Sequence, residues 1–163
     1  MSLDDFGKNE YFMKEALKEA MRAYDHDEVP VGAVIAFEGK LIARAHNQVE
    51  LLKDPTAHAE MIAITQACGS LGRWRLTGCR LYVSLEPCSM CAGAIVLARL
   101  DAVFFGAKDP KAGACGSLRN IVLDDRLNHK VQLVSGLMEN DSQDLLQEFF
   151  RKMRNKRKTN LIE

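Results

Sequence analysis

No apolar run in this chain approaches the roughly 18 residues of a membrane span, so no membrane partner is expected. No signal peptide is expected ahead of the cysteines, which number five, an odd count. That argues against a fully paired disulfide framework and for reduced thiols in a cytoplasmic protein, with Cys68, Cys79 and Cys115 the ones left over from the pattern described next. Neither charge is in excess: 22 Lys and Arg balance 22 Asp and Glu. Partner choice must therefore be read from where the charge lies. No internal repeat, low-complexity segment or linker interrupts the 163 residues, a length at which one domain buries about two-thirds of its unfolded surface.

Two short stretches carry the chemistry, Thr56-Ala57-His58-Ala59-Glu60 and Pro87-Cys88-Ser89-Met90-Cys91. Together they supply one imidazole, two thiols and one extra carboxylate. That is the inventory of a catalytic zinc site: three protein ligands, an open fourth position and a base beside it. Cys88 and Cys91, three apart after Pro87, share one face of a helix start, where the positive helix end favours thiolates. His58 and Glu60 are only two apart and would diverge on a regular helix. They serve one metal only if His58 opens a helix approached end-on, so the zinc is expected between two helix N-termini. Glu60 is read as the base, because a fourth protein ligand would close the site. The bland alternative, buried apolar cysteines and a solvated Glu60, accounts for either stretch alone but not for the pair.

His-Ala-Glu followed by Pro-Cys-x-x-Cys resembles the signature of the cytidine deaminase-like zinc deaminases, which act on nucleobases. Within it the chain is most similar to the bacterial tRNA-specific adenosine deaminases. The matching segments include 29–34, Asn47, 54–60, 74–76, 81–94, 105–109, 113–117 and Asn128-His129, nearly the whole chain, without a departure at a motif position. The resemblance implies one zinc-dependent deaminase domain over 1–163 and one Zn2+ per subunit held by His58, Cys88 and Cys91. It implies Glu60 as proton acceptor and donor, and the Ala59 backbone N–H as a donor to the developing oxygen. The implied substrate is the wobble adenosine in a tRNA anticodon stem-loop, of an arginine tRNA, flipped out and deaminated to inosine.

Apolar periodicity predicts a helix over 10–24. A hairpin follows, 31–37 and 41–45, turning at Glu38-Gly39-Lys40, and Gly32 marks a close backbone approach. Leu51 to Pro55 reads as a loop, and a helix from Met61 stops at Gly69. Strands at 81–85 and 102–107 flank a helix and form a parallel βαβ pair. Ser117 is expected to cap a short helix over 118–123, before a last strand at 131–134 and a basic helix at 141–158. The fold expected is α/β: a three-layer α/β/α sandwich with a five-stranded mixed sheet beginning in an antiparallel hairpin. Residues 92–98 include no polar side chain. That helix lacks a solvent face, so it is either wrapped entirely by its own domain or buried in part against a second subunit; a homodimer packed partly through this helix is expected, as the resemblance also implies.

Arg151, Lys152, Arg154, Lys156, Arg157 and Lys158 stand within eight residues without an acid among them. Such a run suits a phosphate backbone, or is a solvated end of a helix. Phe149 and Phe150 beside it could stack on bases, although at helical spacing at least one belongs to the core. The loop 108–116, with Asp109 and Lys111, follows a strand's C-terminal end, where α/β sheets place ligand contacts. Val29 would enter the first strand beside the pocket. Asn47 and Asp109 read by themselves as turn residues; the resemblance gives them substrate contacts. Three other readings compete: a small-molecule deaminase of guanine, cytosine or cytidine, a zinc-stabilised RNA-binding module without chemistry, and a structural interaction protein.

Overall fold

The structure, a computed structural model, describes residues 3–162; positions 1, 2 and 163 of the expected domain lie outside it. Ten elements follow in order: α1 (Leu3–Asp25), β1 (Gly32–Phe37), β2 (Lys40–His46), α2 (Val49–Leu52), α3 (Ala59–Leu71), β3 (Cys79–Leu85), α4 (Ser89–Leu97), β4 (Ala102–Ala107), β5 (Gln132–Ser135) and α5 (Glu139–Asn160). The strands form one sheet in the order β2-β1-β3-β4-β5. β1 pairs antiparallel with both β2 and β3, whereas β3–β4 and β4–β5 are parallel. This is the mixed five-stranded sheet expected.

Both faces are covered, which is why the central strands read as unbroken apolar runs. The pleat sends Ala33, Ile35, Leu81, Val83, Val103 and Phe105 to one side, against Ala59, Ala63 and Ala67 of α3 and Ala92, Ile95 and Val96 of α4. It sends Val34, Ala36, Tyr82 and Phe104 to the other, against Phe12, Met13 and Ala16 of α1. Tyr82 stacks on Phe104 with ring centroids 4.6 Å apart and donates its hydroxyl hydrogen bond to Asn9 Oδ1 at 2.6 Å, so its polar end is not stranded. Gly32 permits the α1 contact: a Cβ there would lie 1.9 Å from the Ala16 carbonyl oxygen. The hairpin turns on Glu38 and Gly39, both at positive φ, as a type I′ turn requires.

Three expectations are corrected. No helix forms over 118–123. Ser117 gives its N–H and hydroxyl to Glu86 instead, and the Ile121 N–H bonds Ala114 O, so the segment folds back as a loop with a Cys115–Asn120 bridge. Within the expected loop at 51–55, Leu51 and Leu52 belong to the single turn of α2. The buried Glu28 carboxylate makes that turn by accepting the N–H groups of Glu50 and Leu51 at 3.1 and 2.7 Å. And α3 runs through Gly69 to Leu71, ending on Gly72 in the left-handed conformation.

Candidate active site and metal centre

The two chemical stretches fold into two helix starts. Asp54 accepts hydrogen bonds from the Thr56 N–H and hydroxyl at 2.8 and 2.7 Å, closing a turn that delivers His58 as the N-cap of α3. β3 runs into Glu86-Pro87, and Cys88 is the N-cap of α4 with Cys91 on its first turn. The positive ends of both helices therefore converge on one point. There the His58 Nδ1 lies 3.6 Å from the Sγ atoms of both Cys88 and Cys91. A tetrahedral zinc with Zn–S near 2.3 Å and Zn–N near 2.0–2.1 Å sets N···S at about 3.6 Å. The donor set fits that ion in type and in spacing. Among the described residues it is the one cluster of three or more His, Cys, Asp or Glu groups close enough to share a metal.

The electrostatics suit a cation. A hydrogen bond from Cys91, with one from His58, pulls the Cys88 thiol down to about 3, so Cys88 is a thiolate. Cys91 is pushed far up by that same hydrogen bond and by burial. Cation binding therefore displaces the Cys91 thiol proton. The Cys88 hydrogen bond holds His58 above its usual value. Glu60, the second residue of α3, is 4% exposed, and burial pushes its carboxyl up. Ala59 opens α3, so its N–H is one of the four that the helix leaves to outside partners.

A cavity of about 450 Å³ opens onto this centre, the size of a small-ligand site. Its wall includes His58, Ala59, Glu60 and Cys88, together with Val29, Asn47, Asp109 and Phe149. Asn47 is fixed by its N–H to Val31 O at 3.0 Å and its Nδ2 to Val29 O at 3.4 Å. Asp109 Oδ1 accepts the N–H groups of Lys111 and Ala112 at 3.0 and 3.2 Å, so it is a turn residue and a wall residue at once. Lys111 is exposed and outside the cavity. So are Arg151 and Arg154, which line a separate groove with Asp144 and Glu148. Phe149 is core, packed edge-on to Tyr24 at 6.1 Å, whereas Phe150 is 46% exposed at the cavity rim.

The MafB19-like deaminase family model matches residues 6–154 of this sequence. The tRNA-specific adenosine deaminase of Bacillus subtilis (strain 168) is 51% identical over 151 residues, covering 93% of this chain and 94% of that protein. Its counterpart from Aquifex aeolicus (strain VF5) is 53% identical over 146 residues, 90% and 96% of the two. The chain belongs to the tRNA-specific adenosine deaminases. A solved structure from work on A-to-I editing by tRNA:A34 deaminases at the wobble position of transfer RNA superposes with a TM-score of 0.81 at 46% identity, over 83% of this chain and 99% of the other.

In this tRNA-specific adenosine deaminase the cavity has wall residues that the sequence did not single out. Glu28, Val49, Glu50, Glu86, Ala112, Met153 and Arg157 all reach it. Arg157 was visible only as one cation of six, and helical spacing from Phe150 and Met153 was the signal that it shares their face. The basic run is also less free than its spelling suggests. Lys152 and Lys156 both pair with Asp27, at 2.9 and 2.7 Å, and Lys152 lies 4.4 Å from the centre of the Tyr24 ring. All five cysteines are unpaired.

Proposed function

We propose that this chain deaminates the wobble adenosine of a tRNA anticodon loop to inosine, with one Zn2+ per subunit, as a single deaminase domain whose basic C-terminal helix meets the RNA. The observation that carries this is the convergence of the His58, Cys88 and Cys91 donors beside the buried Glu60 carboxylate in one cavity. A zinc-stabilised binding module needs no carboxylate and no cavity at its metal.

Zinc held by these three residues supplies Lewis acidity to the attacking water. Glu60 takes a proton from that water as its oxygen bonds to C6 of the flipped adenine. The same carboxyl passes protons to the ring N1 and to the departing amine, so adenosine and water become inosine and ammonia. Its raised proton affinity suits a group that must accept and then return a proton at neutral pH. The Ala59 N–H faces the oxygen as it gains charge and later forms the C6 carbonyl. Asn47, Val29, Phe149 and Asp109 stand on the wall of the same cavity as Glu60, and this reading gives them the contacts to the flipped nucleotide. Arg151, Arg154 and Lys111 lie outside the cavity and serve the phosphates beyond the target nucleotide.

Supporting a homodimer, the residues of α4 that are not buried are Met90, Gly93, Ala94 and Leu97 beside the exposed Ser89. The four share the i, i+3, i+4, i+7 spacing of one helix face. Leu97 is 70% exposed, and a Cβ at Gly93 would meet nothing within 4 Å. An apolar stripe with small residues at its centre fits a second copy of the chain, and a concentration-independent monomer mass in light scattering refutes it. The same reading makes it a cytoplasmic enzyme acting on an arginine tRNA. Among the described residues no helix is long and apolar enough to cross a membrane. The deciding experiment is inosine detection in tRNA incubated with the purified protein, with and without a zinc chelator. Inosine that persists after chelation, or never forms, rejects the proposal.

A further inference from the structure

Glu86 precedes the metal-bearing turn and reaches the cavity wall, and the chemistry above gives it no task. It is 2% exposed, and an unpaired carboxylate at such depth is costly. Its oxygens meet four donors. Oε1 takes the Asp109 N–H at 3.2 Å and the Ser117 hydroxyl; Oε2 takes the N–H groups of Cys115 and Ser117, each at 3.1 Å. Every partner donates. Two oxygens with about four lone pairs match that set, and among side chains only a carboxylate offers four acceptor sites at two points.

The donors all belong to residues 109–117, and that loop is closed onto the metal-bearing turn. The Gly113 and Cys88 backbones form a bridge, and the Ala114 N–H donates to Pro87 O at 2.8 Å. The closure leaves no room at Gly113, where a Cβ would lie 2.2 Å from Glu86 Oε2 and 2.5 Å from Asp109 O. Two residues of the loop, Asp109 and Ala112, form the cavity wall, and the wall's position follows from where the loop is held.

We propose that Glu86 is a positioning residue for substrate: its carboxylate fastens the 109–117 loop beside the Cys88 turn and thereby sets the wall that receives the nucleotide. The inference rests on the deaminase reading, and it assigns Glu86 to substrate binding rather than to proton transfer. Glutamine at 86 keeps the shape but turns an NH2 toward at least one N–H that it cannot accept, so part of the loop comes loose.

The test uses the full-length, zinc-loaded protein with a synthetic anticodon stem-loop RNA, measuring kcat and KM for inosine formation, zinc per chain, and amide hydrogen exchange over 109–117. Glu86→Gln is expected to raise KM about tenfold while kcat stays within about twofold. Zinc stays at one per chain, and the amides of Asp109, Cys115 and Ser117 exchange faster than in wild type while those of β3 and β4 do not. Ser117→Ala, which removes a single donor, moves KM in the same direction by less. The double variant is no worse than Glu86→Gln alone, since both act on one cluster. An unchanged KM, a fall in kcat with KM intact, or zinc loss as the sole defect overturns the inference. Should Glu86→Gln fail to fold, Ser117→Ala with its exchange profile decides it, an unchanged KM again overturning it. Wild-type protein that makes no inosine sinks the deaminase reading instead, so the two failures are separable.

Discussion

Replacing Gly32 with alanine tests whether α1 is seated on the sheet as described. The added methyl would lie 1.9 Å from the Ala16 carbonyl oxygen, 2.4 Å from the Ala20 nitrogen and 2.8 Å from Glu19 Cβ. Close C···O contacts lie near 3.3 Å, so the helix must withdraw by about 1.4 Å. Two of the three obstacles are backbone atoms, which cannot rotate aside. A gap of about 1 Å forfeits a quarter to a half of each dispersion contact it opens, here along Phe12, Met13, Ala16 and Ala20. With the usual cost of overpacking, the loss is about 3 kcal/mol, equivalent to a Tm lowered by about 6–12 °C in a chain of this length. Calorimetry of the zinc-loaded protein measures it. Gly69→Ala serves as the control, since a Cβ there meets nothing within 4 Å and α3 should gain stability. The metal ligands sit at the starts of α3 and α4, on the opposite face of the sheet, so zinc per chain should not change. A Gly32→Ala Tm within about 2 °C of wild type refutes the packing argument.

Other predictions bear on the site. His58→Ala and Cys88→Ala should each abolish stoichiometric zinc in elemental analysis, whereas Glu60→Ala should keep both zinc and RNA affinity and lose about 10²–10⁴ in turnover; normal turnover in that variant ends the assigned role. Asp27→Asn releases Lys152 and Lys156, so filter binding should show tighter RNA binding and a salt slope steeper by up to about 1.4, two added contacts on a single strand. Bonds from Lys156 and Lys152 hold the Asp27 carboxyl at about 2 rather than 3.8. Because the folded value is the lower one, the tie is complete above the ordinary value and is lost as pH falls through about 2. A carboxyl NMR titration should find the Asp27 midpoint near 2 in wild type and return it toward 3.8 when both lysines are alanine.

What the sequence disclosed was local. Two-residue and three-residue spacings placed His58 and Cys88 at helix starts, since only that geometry lets residues two apart serve one ion. Alternation and length located the strands, and the small residue at Gly32 announced a close helix. What it hid was made by long-range partners. Glu86 looks like any acid before a proline until residues 109–117 fold back onto it, and the capping pattern at Ser117 lost to that carboxylate. Glu28 likewise turns a loop into α2 from more than twenty residues away. The basic run was legible as charge but not as availability, because Asp27 comes from the turn that follows α1.

The wall contributed by α5 has a consequence for how the protein matures. Phe149, Met153 and Arg157 are translated after His58, Cys88 and Cys91 and after all five strands. A growing chain therefore owns every atom needed to hold metal while one side of the chamber is still inside the ribosome. Competence to grip an RNA loop arrives last, after the centre it encloses is complete.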